Sequence, residues 1–258
     1  MPVDNCEENT WKGRDSMKTF SITDIGMRRS MNQDAMFTSE IPVGNLPNLF
    51  LVADGMGGHN AGEYASSHAV ETIVAVAGES VETDIAQILD QAIRKANQVL
   101  IEKAREDVSM RGMGTTIVAA VIAENRLFVA NVGDSRLYIV NQEMKQITRD
   151  HSLVEEMVRL GGLDKETARE HPDKNIITRA VGAEPKIEID FFEAVLEEQD
   201  TVLLCSDGLT NMIEDEDIRR IMKSQRDIAE QAEKLVETAN ANGGKDNITV
   251  VVIEPFQD

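Results

Sequence analysis

The sequence predicts an α+β fold in which layers of antiparallel β-sheet are covered by helices within one domain. Short strand-like runs occupy residues 114–148 and are joined by connections of only two or three residues. Such connections require antiparallel neighbours, because a parallel crossover needs about a dozen residues or more. Helical pairs are predicted before and after this meander. A chain of 258 residues is long enough to bury one large core.

The first 108 residues are predicted to contain two strands and then two helices. The strands are expected at 18–24 and 47–54. The first helix is expected from about Asn60, a favourable N-cap residue, to Ala77. Gly78-Glu79-Ser80 separates it from a longer helix at about 82–108, which suggests an antiparallel pair. Apolar residues of the longer helix share one face: Ile85, Leu89, Ala92, Ile93, Ala96, Val99 and Leu100.

The rest of the chain is predicted to hold mostly strands and a second helical pair. The meander strands are expected at 115–123, 126–132, 136–140 and 144–148. Residues 150–186 are polar and mostly irregular, with short helices expected near 152–160 and 164–170. Later strands are expected at 187–195, 200–206 and 247–253, and helices at about 215–223 and 226–241.

Residues 1–17 lack hydrophobic periodicity and are predicted to be a disordered tail or a tag-like extension, which leaves a single domain at 18–254. Trp11, the single tryptophan, then lies outside the core. The polar, acidic N-terminal stretch does not resemble a signal peptide. No apolar run approaches the roughly 20 residues of a membrane span. We therefore expect a cytoplasmic, monomeric protein without a membrane partner.

The net charge is −20, from 26 basic and 46 acidic residues. This charge disfavours binding to nucleic acids and anionic membranes, since both need a positive surface. It would also repel a phosphorylated substrate unless bound divalent cations inverted the sign locally. The four histidines lack zinc-type spacing. Cys205 does not begin a Cys-x5-Arg motif, because Asn211 occupies the Arg position, which disfavours a phosphocysteine intermediate.

Four aspartates stand beside apolar, strand-like runs: Asp54, Asp134, Asp207 and Asp246. Because buried strands bring their ends together, these carboxylates are expected to converge. Clustered carboxylates repel one another unless cations hold them, and hard oxygen ligands suit Mg²⁺ or Mn²⁺. The pattern therefore indicates a metal-dependent hydrolase. Asp-Gly is also a common turn signal, so turn chemistry is the alternative for each site taken singly.

Two further motifs carry weaker signals. Arg29 precedes Asp34 by five residues, a pairing that suits a phosphoryl group and a metal but is also typical of a solvated surface pair. The segment 54–59, Asp-Gly-Met-Gly-Gly-His, joins a strand to a helix, and its glycines would let the backbone approach a ligand. It has neither the Lys-Ser/Thr of a Walker loop nor the third glycine of a dinucleotide loop. A tight turn is the remaining alternative.

Seven motifs in this order resemble the bacterial branch of the metal-dependent Ser/Thr protein phosphatases, the type 2C or PPM family. The resemblance covers about residues 18–254. The motifs are Arg29-x-x-Asn32-x-Asp34, Val52-Ala53-Asp54-Gly55-Met56-Gly57-Gly58-His59, Gly112-Met113-Gly114-Thr115-Thr116, Val132-Gly133-Asp134-Ser135-Arg136, Asp150-His151-Ser152, Ser206-Asp207-Gly208-Leu209 and Gly243-Gly244-Lys245-Asp246-Asn247-Ile248-Thr249.

The resemblance implies a sandwich of two antiparallel sheets flanked by helices, with a site for two Mn²⁺ or Mg²⁺ ions at one end. By position, the implied carboxylate ligands are Asp34, Asp54, Asp207 and Asp246. Asp54 matches the carboxylate that bridges both metals, and Gly55 matches a backbone-carbonyl ligand. Arg29 matches the residue that holds the substrate phosphate. Asp134, with Asp207, resembles the site of a third, weaker ion, and residues 150–186 correspond to the variable flap.

The implied activity is hydrolysis of phosphoserine and phosphothreonine in proteins by a metal-bridged hydroxide, without a covalent enzyme intermediate. A Ser/Thr kinase and its targets are the implied partners. The sequence departs from animal members at Met56, where they have a histidine proposed as the general acid. His59 is either an alternative donor or a residue that only marks the start of the helix. Gln33 stands where some members have Glu. A catalytically inactive scaffold is the second hypothesis, and the complete set of expected aspartates disfavours it.

Overall fold

The computed structural model describes residues 17–58, 60–164, 167–168, 171–225 and 227–256. The predictions for the N-terminal tail, Trp11 and His59 therefore fall outside the described residues. In chain order the strands are β1 Lys18–Asp24, β2 Asp34–Ser39, β3 Leu49–Met56, β4 Gly114–Thr115, β5 Ile117–Ala123, β6 Arg126–Val132, β7 Arg136–Val140, β8 Met144–Gln146, β9 Asp190–Val195, β10 Thr201–Cys205 and β11 Ile248–Glu254. The helices are α1 Ala61–Glu79, α2 Ile85–Glu106, α3 Leu153–Arg159, α4 Asp207–Thr210, α5 Asp215–Ser224 and α6 Ile228–Ala241.

The strands form two antiparallel sheets. The first has the order β1-β11-β10-β7-β8, and the second has the order β2-β3-β5-β6-β9, with β4 paired to β3. Alternate residues of β3 face opposite sides of the second sheet, as the two-residue period of a strand requires. Phe50 and Val52 pack between the two sheets, whereas Leu49 and Leu51 pack against the helices. The predicted fold class is confirmed.

Three apolar clusters hold four layers together. One cluster lies between α1, α2 and the second sheet, and includes Ile73 and Ile93. Another lies between the first sheet and helices α5 and α6, and includes Ile218 and Leu235. The third fills the space between the sheets. The resulting order of layers is helices, sheet, sheet, helices. Within the described ranges, no helix has both the length and the apolar character that a membrane crossing demands.

The structure corrects several of the predicted elements. Strand β2, Asp34–Ser39, was not predicted, because its residues are all half-buried and show no clean apolar alternation. Helix α1 continues through Gly78 to Glu79. Asn60 precedes this helix, but its side chain makes no capping hydrogen bond to a described residue. Asp207 begins the short helix α4. The predicted helix at 164–170 lies partly outside the described residues, with positions 167–168 helical.

Candidate active site

Strand pairing and strand ends bring the predicted aspartates to one end of the sandwich. In the antiparallel register of β2 and β3, Asp34 lies opposite Asp54 in the second sheet. Asp207 follows β10 closely and Asp246 precedes β11 closely, and these strands are neighbours in the first sheet. β11 also contacts β2 and β3 across the sandwich. The two sheets therefore each supply two carboxylates.

Hydroxyl groups of the first sheet anchor Asp34 of the second. The Ser206 hydroxyl donates to Asp34 Oδ2 at 2.7 Å, and the Thr249 hydroxyl donates to the same oxygen at 2.6 Å. Both Ser206 and Thr249 are fully buried. Ser206 Oγ also accepts a hydrogen bond from the Thr249 backbone N–H at 3.0 Å. One oxygen of Asp34 is thus fixed by buried donors, and its orientation is set before any ligand binds.

Asp54 is held through its backbone by the motif at Gly114-Thr115-Thr116. The Asp54 N–H donates to Thr116 Oγ1 at 2.9 Å, and the Asp54 carbonyl accepts from the Thr116 N–H at 2.9 Å. The Thr115 hydroxyl donates to that carbonyl as well, at 2.9 Å. On the other side, the buried Gly55 donates its N–H to the Gln33 carbonyl at 3.0 Å. Both faces of the Asp54-Gly55 peptide are therefore fixed.

The carboxylates perturb one another strongly. Burial raises the pKa of Asp34 to about 7, with Asp207 and Asp246 adding to the rise and the two hydroxyl donors opposing it. Burial raises the pKa of Asp54 well above its ordinary value, reinforced by repulsion from Asp34, Asp207, Asp134 and Asp246. Burial, then Asp246, raises the pKa of Asp207 to about 6. Buried carboxylates that repel one another are stabilised either by protonation or by bound cations.

Three buried carboxylate oxygens in the described part of the chain accept no hydrogen bond: Asp34 Oδ1, Asp134 Oδ1 and Asp207 Oδ1. In Asp34 the other oxygen is anchored by the hydroxyls, and in Asp207 the other oxygen accepts from Asn211 Nδ2 at 2.8 Å. One anchored oxygen and one unpartnered oxygen is the arrangement expected of a metal ligand with outer-shell support. The all-oxygen donor set fits Mg²⁺ or Mn²⁺.

Asp246 faces Arg29 in this arrangement. Arg29 Nη2 donates to Asp246 Oδ2 at 2.6 Å, while the Arg29 side chain remains 48% exposed. Among the described residues, no three His, Cys, Asp or Glu side chains converge tightly enough to enclose an ion. The fit to cations therefore rests on the unpartnered oxygens and the raised pKa values of the carboxyls. Arg29 lies at the solvent side of the carboxylates, where an entering anion would meet it.

Asp134 lies in the turn between β6 and β7 and is 7% exposed. Burial raises the pKa of its carboxyl well above the ordinary range, followed by repulsion from Asp207 and Asp150. The preceding Gly133 has φ +106°, and a Cβ there would lie 2.6 Å from the Thr116 side chain, so the turn requires glycine. Asp134 therefore approaches the cluster from one side, next to Asp207.

His151 and Arg136 hold the Asp134 turn. The His151 N–H donates to the Gly133 carbonyl at 3.0 Å, and the Gly133 N–H donates to His151 Nδ1 at 3.1 Å. Arg136 donates to both oxygens of Asp150 at 2.6–3.0 Å. The sequence-based interpretation gave none of these residues a role, although they lie in quoted motifs. The supporting hydroxyls of Thr115, Thr116, Ser206 and Thr249 were missed in the same way.

The site supports neither a cysteine nucleophile at Cys205 nor a proton donor at Met56. Burial raises the pKa of the Cys205 thiol, which keeps it protonated and non-nucleophilic at neutral pH. Met56 ends β3 opposite Gly114 and is half-buried, and its thioether cannot donate a proton. The role of His59 as a proton donor stays a prediction, since that residue lies outside the described ranges.

Comparisons with known proteins identify the family of the chain. The family model described as "Protein phosphatase 2C" matches residues 27–249. A "Serine/threonine phosphatase stp" of Listeria monocytogenes is 43% identical over 243 residues, which cover 90% of this chain and 93% of the relative. The solved structure of Stp1 from Staphylococcus aureus has a TM-score of 0.87 and 34% identity, covering 94% of this chain and 96% of that one.

A second solved structure bears on the metal. It is the catalytic domain of the serine threonine protein phosphatase PstP in complex with 2 manganese ions. It has a TM-score of 0.82 and 32% identity, covering 93% of this chain and 99% of that one. The resemblance inferred from the seven motifs is confirmed. The chain belongs to the protein phosphatase 2C family.

Proposed function

We propose that Asp34, Asp54, Asp207 and Asp246, with the Gly55 carbonyl, hold two Mn²⁺ or Mg²⁺ ions that serve the hydrolysis of phosphoserine and phosphothreonine in proteins. Membership of the family makes the chain a metal-dependent Ser/Thr protein phosphatase. The proposal adds the residues and the chemistry. The observation that carries it is the set of buried carboxylate oxygens without hydrogen-bond partners at one end of the sandwich.

The charges of the proposed site are consistent with a phosphorylated substrate. Four carboxylates carry −4 and two divalent cations carry +4, so the loaded site no longer repels a phosphate dianion despite the net charge of −20. When bound, two such cations supply an activated water and neutralise charge that develops on the phosphoryl oxygens. Asp54 lies opposite Asp34, and repulsion from the other carboxylates adds to the rise of its pKa, so Asp54 would hold the cations together with them.

Arg29 is proposed to bind the substrate phosphate. Its guanidinium is half-exposed at the mouth of the cluster, and its fork of N–H donors matches two phosphoryl oxygens. Its Nη2 donates to Asp246 Oδ2, which places it directly beside a proposed metal ligand. Asp134 is proposed to hold a third, weaker ion together with Asp207, because its unpartnered Oδ1 and its coupling to Asp207 repeat the pattern of the central ligands.

Residues 150–186, within the proposed domain 18–254, are proposed to act as a flap beside the site. The Thr178 N–H donates to the His151 carbonyl at 2.7 Å, and Thr115 and Val181 exchange two backbone hydrogen bonds of 2.8 and 2.9 Å. The first contact closes the segment on itself, and the second attaches it to β4, which pairs with the strand that carries Asp54. The bond from the His151 N–H to the Gly133 carbonyl attaches the segment to the turn that carries Asp134. The substrates are proposed to be the products of a Ser/Thr kinase that this phosphatase opposes.

The test replaces one metal ligand without changing its size. Asp207→Asn and Asp246→Asn should nearly abolish phosphate release from a phosphothreonine peptide in Mn²⁺, and should remove the rise in melting temperature that Mn²⁺ causes in the wild type. Without metal, Asp207→Asn should be at least as stable as wild type, because a buried carboxylate that the others repel is gone. That second readout separates loss of the site from misfolding.

Asp90→Asn is the matched control, since Asp90 pairs with Arg94 on the surface of α2. It should retain both the turnover and the stabilisation by Mn²⁺. Near-wild-type turnover in either ligand variant, or full activity of the wild type after thorough chelation, would contradict the assignment.

A further inference from the structure

The loop between β1 and β2 is fastened at several points although its outer side chains face solvent. The Met27 N–H donates to the Gly244 carbonyl at 2.7 Å, and the Gly26 N–H donates to Asp24 Oδ1 at 2.8 Å. Gly26 has φ +79° and packs so closely on the Asp246 carbonyl that no Cβ would fit. The loop is therefore seated directly on the segment 243–246.

Asn247 fixes the same loop from beneath. Its Nδ2 donates to the carbonyls of Ile25 at 2.9 Å and Met31 at 3.0 Å, and its Oδ1 accepts from the Gln33 N–H at 2.9 Å. Asn247 is itself buried. A single buried amide thus bonds to three backbone groups on both sides of Arg29. The loop holds its shape without help from its outward-facing side chains.

Those outward-facing side chains form a mixed apolar and basic surface next to Arg29. Met27 is 66% exposed, and Ile25 is 39% exposed. Arg28 and Lys245 are also exposed, and neither side chain makes an ion pair or hydrogen bond with any residue that the structure describes. We call Met27, Arg28 and Lys245 the basic rim. The side chains of the basic rim contribute little to packing. Because they are exposed, a ligand can reach them.

The rim carries uncompensated positive charge on a strongly acidic protein. Two carboxylates belong to the segments that carry the rim, Asp24 and Asp246. Asp24 accepts from the Gly26 N–H and from Asn240 Nδ2, and Asp246 pairs with Arg29. With Asp246 and Arg29 paired, Arg28 and Lys245 bring two positive charges against the single negative charge of Asp24, so this side of the site keeps a net positive charge. With a net charge of −20, the protein as a whole would repel an acidic peptide, so attraction at this point must be local.

We propose that the basic rim binds an anionic side chain, a carboxylate or a second phosphate, that flanks the phosphorylated residue of a substrate, and so directs the enzyme to acidic phosphorylation sites. The inference rests on the proposed function, since it takes Arg29 as the phosphate-binding residue. Adjacent Cα atoms lie about 3.8 Å apart, and an extended substrate rises about 3.3 Å per residue. Arg28 and Lys245 therefore lie within reach of side chains one to three positions from the phosphoresidue, while Met27 offers an apolar contact beside them.

The test compares three phosphothreonine peptides of equal length. One has two glutamates on each side of the phosphothreonine, one has glutamines there, and one has a second phosphothreonine two residues away. Wild type should have a higher kcat/KM for the glutamate peptide than for the glutamine peptide, by about two- to fivefold for each exposed ion pair that forms. The difference should come mainly from a lower KM. The preference should shrink in about 1 M NaCl, where screening acts within about 3 Å. The third peptide, with products separated by mass, shows whether a phosphate serves as well as a carboxylate.

The variant Arg28→Ala combined with Lys245→Ala should reduce the glutamate-to-glutamine ratio to one or below. Arg28→Lys should keep the preference, because it keeps the charge. The matched control, Arg105→Ala with Lys145→Ala, removes the same charge from exposed positions in α2 and in β8, which lies at the opposite edge of the first sheet from β1, and should keep the wild-type ratio.

Hydrolysis of p-nitrophenyl phosphate distinguishes failure of the basic rim from failure of the proposed function, because this substrate has no flanking residues. Wild type that turns over p-nitrophenyl phosphate but shows no preference for glutamate, or a preference that the double variant retains, would overturn the basic rim alone. Wild type that turns over neither p-nitrophenyl phosphate nor any of the three peptides in Mn²⁺ would refute the proposed function, and the inference with it.

Discussion

Replacing Thr249 by valine should weaken metal binding without removing any proposed ligand. Thr249 is fully buried, and its hydroxyl donates to Asp34 Oδ2 at 2.6 Å and contacts the Thr23 hydroxyl at 2.7 Å. Valine keeps the shape and loses the donor. Asp34 Oδ2 would then be held by Ser206 alone among its two hydroxyl partners.

The magnitude follows from the loss of one hydrogen bond to a charged group, worth about 1.5–3 kcal/mol. At about 1.4 kcal/mol per factor of ten, that corresponds to a 10- to 100-fold weaker binding of Mn²⁺, in the range found for outer-shell partners of metal ligands. Isothermal titration with Mn²⁺ measures the affinity directly, and turnover at saturating Mn²⁺ should recover most of the wild-type rate.

Thr238→Val is the matched control, because the Thr238 hydroxyl bonds only within its own helix, to the Lys234 carbonyl, in the described structure. Its Mn²⁺ affinity should equal that of wild type. An affinity of Thr249→Val within twofold of wild type, in a protein that melts normally without metal, would refute the idea that the buried hydroxyls orient Asp34.

Two other predictions concern the turn that carries Asp134. Gly133→Ala should destabilise the protein by about 1–3 kcal/mol in urea titrations, because φ is +106° and the new methyl would meet Thr116, whereas Gly78→Ala in helix α1 should stabilise it by about 0.5–1 kcal/mol; equal effects of the two changes would contradict this. Burial lowers the pKa of His151, so the folded protein binds fewer protons there than the unfolded chain, and this contribution to stability is complete above about pH 6.5 and is lost as the pH falls below it. The difference in urea midpoint between wild type and His151→Asn should therefore narrow from pH 7.5 to pH 5.5. A difference that does not change with pH would show that the neutral imidazole is not the source of the stability lost in the variant.

The sequence predicted the parts of the fold that are written in contiguous apolar runs. Strands β3, β5, β6 and β11 consist mostly of buried residues, and each was expected within a few residues of its observed limits. Strand β2 was missed because its half-buried residues acquire their role by pairing with β3. From the residues alone Asp34 was therefore only a weak candidate, through its spacing to Arg29. Its place among the metal ligands came from the resemblance to a family, and apolar patterning gave no sign of it.

The supporting residues of the site were beyond the reach of local patterns. Ser206 and Asp34 are 172 positions apart, and Thr249 and Asp34 are 215 apart. A buried serine or threonine in a strand looks like any other small residue until the opposite sheet is in place. The same applies to Asn247, which binds the loop at 25–33. Asp54, Asp134, Asp207 and Asp246 could be predicted from the apolar runs beside them, but the residues that orient the carboxylates could not.

The division of the carboxylates between the two sheets has a consequence for the lifetime of the protein. Asp34 and Asp54 belong to one sheet, while Asp207 and Asp246 adjoin strands of the other. An ion held by both pairs would act as a crosslink through the sandwich, and each tenfold excess of free ion over its dissociation constant would add about 1.4 kcal/mol to the free energy of unfolding. When the ion is scarce, the protein would lose activity and would also unfold more often, which exposes it to proteolysis. The supply of metal would then set how much phosphatase a cell retains.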